Sequence, residues 1–276
     1  MLTVRVKDKK IDTETVILIN LVYGIVITPY NIFQFIGGKQ TLDDVLRPYK
    51  KFFEDLVKPV FTSTLMFILI ISFVISVFLP ETLYDLLLLY PEDILTLNSY
   101  SLVTHGFLHA NVGHLLGNLL ILFIFGRIVE KQFGAVKTAF VYFSALIIAA
   151  LFHGLINILF FETNTGAVGA SGAIMGLVST AILLKPLTIS YGLLIPLPVI
   201  VIGWLAIGAD ISGVLQGLDD NIGRFAHIGG FFSIFAVIPF LNREDKRKIK
   251  RGFMLNLFTL AAFIVVVFIN YLLYIY

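Results

Sequence analysis

Residues 101–137 read SLVTHGFLHANVGHLLGNLLILFIFGRIVEKQFGAVK, and the fold follows from how this stretch divides. His105, His109, His114 and Asn118 stand at the mouth of a charge-free apolar run, Leu115 to Gly126, which ends in a net-basic patch beginning at Arg127. Polar side chains are costly in hydrocarbon and are kept there for a purpose. Working outward, uncharged blocks recur at 61–80, 94–126, 138–161, 163–184, 186–209 and 252–276. Blocks of roughly 18 or more such residues read as membrane-spanning helices. The chain is 58% hydrophobic and 14% charged, against roughly 25% charged in a soluble domain. These features predict an all-α, polytopic membrane protein in contact with a lipid bilayer.

The absence of cysteine excludes disulfides and thiolate metal sites. Nothing resembles a nucleic-acid footprint, and no oligomeric state is indicated. The first apolar run begins near Val16 with no small-residue cleavage pattern after it, so no cleaved signal peptide is expected.

Three regions are expected. Residues 1–60 form a basic extension carrying Arg5, Lys7, Lys9 and Lys10, with an interfacial or re-entrant apolar segment at 16–38 that breaks near Pro29. A further span is the alternative for that segment. Residues 61–241 form a six-helix core, and 242–276 a basic linker followed by a seventh helix. Within the core, the first helix covers Phe61–Leu79, and the acidic stretch 80–100 lies at the interface. The second helix ends near Arg127 and the third runs from Thr138 to Phe161. The fourth starts near Ser171 and finishes by Lys185. The fifth covers Ser190–Gly208 with kinks at Pro196 and Pro198, and the sixth covers Arg224–Leu241. If Phe61 lies inside, the inner loops hold fifteen Lys or Arg, whereas the outer loops hold only Arg224 beside eight acidic residues. Positive charge on the inner side orients such proteins, so a multi-pass protein of the cell membrane with its His-rich mouth facing outward is predicted.

Ser171 begins a short helix. At about 1.5 Å per residue, the run to Lys185 covers about 21 Å of a hydrocarbon layer roughly 30 Å thick. The preceding chain, with Gly166 and Gly169, must then dip inward as irregular backbone beside a cavity. His227 follows Arg224 by three residues and falls at a similar depth. Gly172 and Gly176, with Gly229 and Gly230, would let the fourth and sixth helices approach closely, as a contact between a serine Oγ and an imidazole requires. His114 and Asn118 are four apart and share a helical face, where they could join the Ser171 N–H in an oxyanion hole. His105 and His109 are assigned to shaping the cavity through loop backbone. With no Asp or Glu in these helices on the outer side, a Ser171–His227 dyad is expected, not a triad. Glu130, near Arg127 and Lys131 at the inner end, takes a structural pairing role. Each residue alone has a plainer reading. A membrane serine commonly bonds its own helix, and His153 is read as structural. The conjunction carries the inference.

At these positions the sequence resembles the rhomboid family of intramembrane serine proteases, through THGFLHANVGHLLGN at 104–118, GASG at 169–172 and AHIGG at 226–230. The resemblance implies a rhomboid-like six-helix core in which Ser171 is the nucleophile and His227 the general base. It implies His114 and Asn118 as the oxyanion-stabilising pair, Gly169 as backbone beside the substrate carbonyl, and Glu130 as an inner structural glutamate. The fifth helix and its adjoining loop would control lateral access, and substrates would be single-span membrane proteins cut near their outer ends. Two departures stand out. Asn98-Ser99-Tyr100-Ser101 lacks the Trp-Arg of many relatives, and Met175 occupies the place of an aromatic ring stacked on the base. No metal or organic cofactor is needed. A metal site at His105, His109 and His114 lacks acidic companions, and HExxH is absent. The remaining alternative is a proteolytically inactive rhomboid-like factor that binds membrane proteins or takes part in their quality control.

Overall fold

Each uncharged block of the sequence carries a helix, an element that satisfies its own backbone hydrogen bonds without water. The computed structural model describes residues 13–96, 98–161, 164–190, 196–217 and 223–275. The first half contains α1 (Thr13–Ile36), α2 (Leu42–Leu56), α3 (Val60–Val77), α4 (Glu81–Leu87) and α5 (Val112–Phe133). The second half contains α6 (Ala135–Phe161), α7 (Ser171–Leu184), α8 (Val199–Leu215), α9 (Arg224–Phe240) and α10 (Arg243–Ile275). A two-residue antiparallel pair, β1 (Ile189–Ser190) and β2 (Leu197–Pro198), joins α7 to α8. Among the described residues α1, α3, α5, α6 and α10 are long and apolar enough to cross a membrane, and α7, α8 and α9 are shorter apolar helices. The protein is a predominantly helical, multi-pass membrane protein.

The core is centred on α7, in which every residue from Gly172 to Leu184 is buried. Helices α5, α6, α8, α9 and α10 surround it. Large apolar side chains such as Phe67, Phe78, Phe160 and Phe240 point outward, whereas Asn118, Arg127, Glu130 and Asp210 are buried. This distribution suits a lipid surround, in which an exposed phenylalanine carries no penalty and an unpartnered charge does.

The charged patch after Gly126 does not end the second core helix. The helix passes through a π-turn at Leu122–Gly126 and stops at Gly134, whose φ of 78° breaks the run. Arg127 and Glu130 are buried because each serves the start of α3. Arg127 donates to the carbonyls of Leu56, at 2.9 Å, and of Lys58. The Glu130 carboxylate accepts the Phe61 and Thr62 N–H groups, each at 2.8 Å, and the Thr62 hydroxyl at 2.7 Å. Those N–H groups are the open first-turn donors of a helix, which a negative charge suits. The structural role expected for Glu130 is therefore helix capping. Glu130→Ala strands up to three donors at about 1–3 kcal/mol each, so the thermal midpoint in detergent is expected to fall by several degrees. An unchanged midpoint would refute the capping role.

Other boundaries differ from expectation for identifiable reasons. No break occurs at Pro29, which lies inside a continuous α1. Membrane helices tolerate proline where neighbouring groups support the backbone. Here Gly24 lies against Pro48 and Tyr49 of α2, and Thr28 Oγ1 is 2.8 Å from the Tyr49 hydroxyl. The amphipathic α2 opens with a capping box in which Asp44 accepts from the Thr41 N–H and hydroxyl. The backbone bond first, then the hydroxyl, holds the Asp44 carboxyl below its ordinary pKa. Pro198 does not kink the fifth core helix but precedes its first residue, a position compatible with proline's missing N–H. The helix consequently runs to Leu215, seven residues beyond Gly208.

The basic run 243–251 is the opening of α10, not a linker. The Asn242 side chain accepts the Asp245 N–H, and Lys137 pairs with Asp245. Farther along, Gly252 meets the Leu183 carbonyl so closely that a methyl group there would overlap it. Asn256 donates to Ile182 O at 2.8 Å and accepts the Trp204 indole N–H at 2.9 Å. Buried amides of this kind fasten helices together in lipid, and this one ties α10 to both α7 and α8.

Candidate active site

The chain before α7 is held in place from two sides. Leu89 and Ala167 exchange backbone hydrogen bonds of 3.1 and 2.8 Å, which fixes the acidic 80–100 stretch to the loop leading to Ser171. The acidic stretch is itself pinned by buried Asp93, whose carboxylate accepts the Ser101 hydroxyl at 2.8 Å and the Tyr90 N–H at 2.9 Å. Asp93 and Ser101 thus anchor the segment where the sequence lacks Trp-Arg. Next to it, the Gly169 N–H donates to the His105 carbonyl at 2.9 Å, and the His105 ring Nδ1 is 2.7 Å from the Ser101 carbonyl. Both contacts of His105 are thus to loop backbone.

Gly169 has φ of 121°, a region that side chains rarely adopt. Its backbone also lies against the polar face of α5, since a methyl group there would stand 2.7 Å from His114 Cε1, 2.8 Å from His114 Nε2 and 3.7 Å from Asn118 Nδ2. His114 and Asn118 thus flank the backbone two residues before Ser171. The Asn118 amide nitrogen is buried with no hydrogen-bond partner among the described residues. His109 packs edge-on against the His114 ring at 5.2 Å, and neither of its ring nitrogens has a hydrogen-bond partner among the described residues. His109 supports His114 by ring contact and not, as expected, by bonding loop backbone.

Small residues bring α7 and α9 together. Gly172 lies against Ala149 of α6 and the Ala226 carbonyl of α9, Gly176 against Ala145 and Ser233, and Gly230 against the Gly172 carbonyl. With backbones in contact, Ser171 Oγ comes to 2.7 Å from His227 Nε2. Both residues are partly accessible, whereas the turns of α7 beneath them are buried, including Met175 one turn below. His153 lies on α6, its Nδ1 3.4 Å from the Asn157 amide nitrogen, a polar companion not expected from the sequence.

On its far side the imidazole is not open. His227 Nδ1 is 3.0 Å from Asp210 Oδ1 and 3.1 Å from Oδ2. The expectation that no carboxylate stands beside the histidine is corrected. Ending the fifth core helix at Gly208 consigned Asp210 to a loop, but α8 carries it inward. The available signal was Pro198: read as a helix start, it shifts the helix toward the C-terminus and places Asp210 within it.

The rhomboid domain matches residues 97–244, more than half of the chain, and the match includes His105, His109, His114, Asn118, Gly169, Ser171, Asp210 and His227. The chain belongs to the rhomboid family. It is 28% identical over 145 residues to RHOMBOID-like protein 12, mitochondrial, of Arabidopsis thaliana, covering 48% of this chain and 43% of that protein. It is 32% identical over 146 residues to Rhomboid-like protein 11, chloroplastic, from the same plant, covering 48% of each. It is also 32% identical over 165 residues to Arabidopsis RHOMBOID-like protein 1, covering 56% of this chain and 39% of that protein. The matched region spans less than half the length of each relative. Helices α1 to α4 precede the rhomboid match, and nearly all of α10 follows it.

Proposed function

We propose that the protein is an intramembrane serine endopeptidase acting through Ser171 and His227, with residues 61–241 as its catalytic core. The observation that carries this reading is the 2.7 Å approach of Ser171 Oγ to His227 Nε2 across two helices with touching backbones. A transmembrane protein substrate enters laterally past α8 and unwinds locally at the outer rim. His227 takes the Ser171 proton as Oγ attacks the scissile carbonyl, then gives that proton to the departing amine. Water hydrolyses the acyl-enzyme, the same histidine acting as base. The asymmetry of Lys and Arg between loops supports an outward-facing site.

His114, Asn118 and the Ser171 N–H hold the oxyanion, with Gly169 lending backbone to the substrate strand. The unpartnered Asn118 amide is suited to donate to an oxygen that exists only during reaction. His114→Ala and Asn118→Ala are each expected to lower kcat about 10²–10³-fold with smaller changes in KM. Equal losses in KM alone would reassign both to ground-state binding.

The reading is tested by reconstituting the chain in liposomes with single-span substrates carrying small residues near the outer end. Site-specific cleavage that persists with a chelator is expected. Failure to cleave a panel of such substrates while binding them would favour the inactive binding or quality-control factor.

A further inference from the structure

We propose that Asp210 is a positioning residue that converts the pair into a Ser171–His227–Asp210 relay; this rests on the protease reading. Three helices meet at one imidazole, with Ser171 from α7, His227 from α9 and Asp210 from α8. The Asp210 side chain is 12% exposed and that of His227 17%, so water competes little for the carboxylate. Both carboxylate oxygens lie within hydrogen-bond distance of the same ring nitrogen. An ionised carboxylate only accepts, so Nδ1 must carry the proton, leaving Nε2 as the lone-pair nitrogen facing Ser171. The contact selects the one neutral tautomer able to take the serine proton.

The relay balances simply. As Oγ bonds to the carbonyl carbon, its proton moves to Nε2, and the resulting imidazolium is held by the Asp210 charge. Asp210 gains no proton, and Nε2 then protonates the leaving amine as the C–N bond breaks. The other groups near the imidazole are the Ser171 hydroxyl on α7, His114 on α5 and His153 on α6, none of them a carboxylate. On α9 itself, Arg224 lies across Gly213 of α8, one turn beyond Asp210; a methyl group there would meet its Nε at 1.9 Å.

A purely structural clip between α8 and α9 would show the same distances, so the test reads the chemistry. Asp210→Asn, nearly isosteric, can present its amide N–H₂ to Nδ1 and favour the tautomer that cannot accept from serine. The expected result is a fall in kcat of about 10²–10⁴-fold with KM little changed, and partial rescue by Asp210→Glu. Nitrogen-15 NMR of His227 in the full-length protein should show Nδ1–H in the wild type and loss of that preference in the Asn variant. Wild-type kcat in Asp210→Asn, or Nε2–H in the wild type, would overturn the proposal. If the wild type cleaves nothing, the protease reading fails while the NMR arm still decides the role of Asp210. Should the Asn variant not fold, the wild-type tautomer decides alone.

Discussion

Ser171→Ala is expected to reduce cleavage of a reconstituted single-span substrate by about 10⁶-fold, the scale of losses seen when a serine nucleophile is removed. The variant lacks one oxygen, whose partner at the site is the His227 ring. The first turn of α7 is closed by backbone, with the Ile174 N–H donating to the Ala170 carbonyl at 3.0 Å. Gly172 and Gly176 still admit α6 and α9. Folding should thus be retained, as read by unchanged thermal melting in detergent, and the loss belongs to chemistry. His227→Ala should lose a comparable amount because the hydroxyl then has no base. Substantial cleavage by either variant would remove the proposed nucleophile or base, and with it the protease reading.

Gly230→Ala is expected to cost at least 10²-fold in kcat although it touches neither reacting atom. A methyl group at Gly230 would stand 1.9 Å from the Gly172 carbonyl oxygen, a backbone atom with nowhere to turn. Gly172 follows Ser171, and Gly230 lies three residues after His227, so pushing α7 from α9 opens the serine–histidine contact directly. Displacement of reacting groups by about 1 Å is enough for losses of about 10². Overpacking also costs stability, typically about 1–3 kcal/mol. Gly208→Ala, on α8, is the matched control because, among the described residues, nothing outside its own stretch of helix backbone lies within 4 Å of the added methyl group. Equal activity of the two variants would show that close approach of α7 and α9 does not set the geometry.

Much of the helical plan was legible because apolar blocks bounded by charge have few alternatives. The starts of α3, α7 and α9 fall at or within one residue of expectation. Two of the errors share one cause. Arg127 and Glu130 looked like the end of a helix because charge usually marks water, yet here the charges face inward to the start of α3. The basic run after Asn242 looked like a linker for the same reason, and it is the first part of α10. A residue's charge can be read locally, but whether it meets water or a buried partner depends on segments about 70 positions away.

The sequence alone determined that this is a membrane protein of many helices, since the length and polarity of each block are local properties set against a bilayer of fixed thickness. It also picked out Ser171, His227, His114 and Asn118, because helical periodicity and spacing put them at one level. Only the tertiary structure decided that the imidazole has a carboxylate behind it. Asp210 becomes a neighbour of His227 through the packing of α8 on α9, and no periodicity within either helix encodes a contact between two helices.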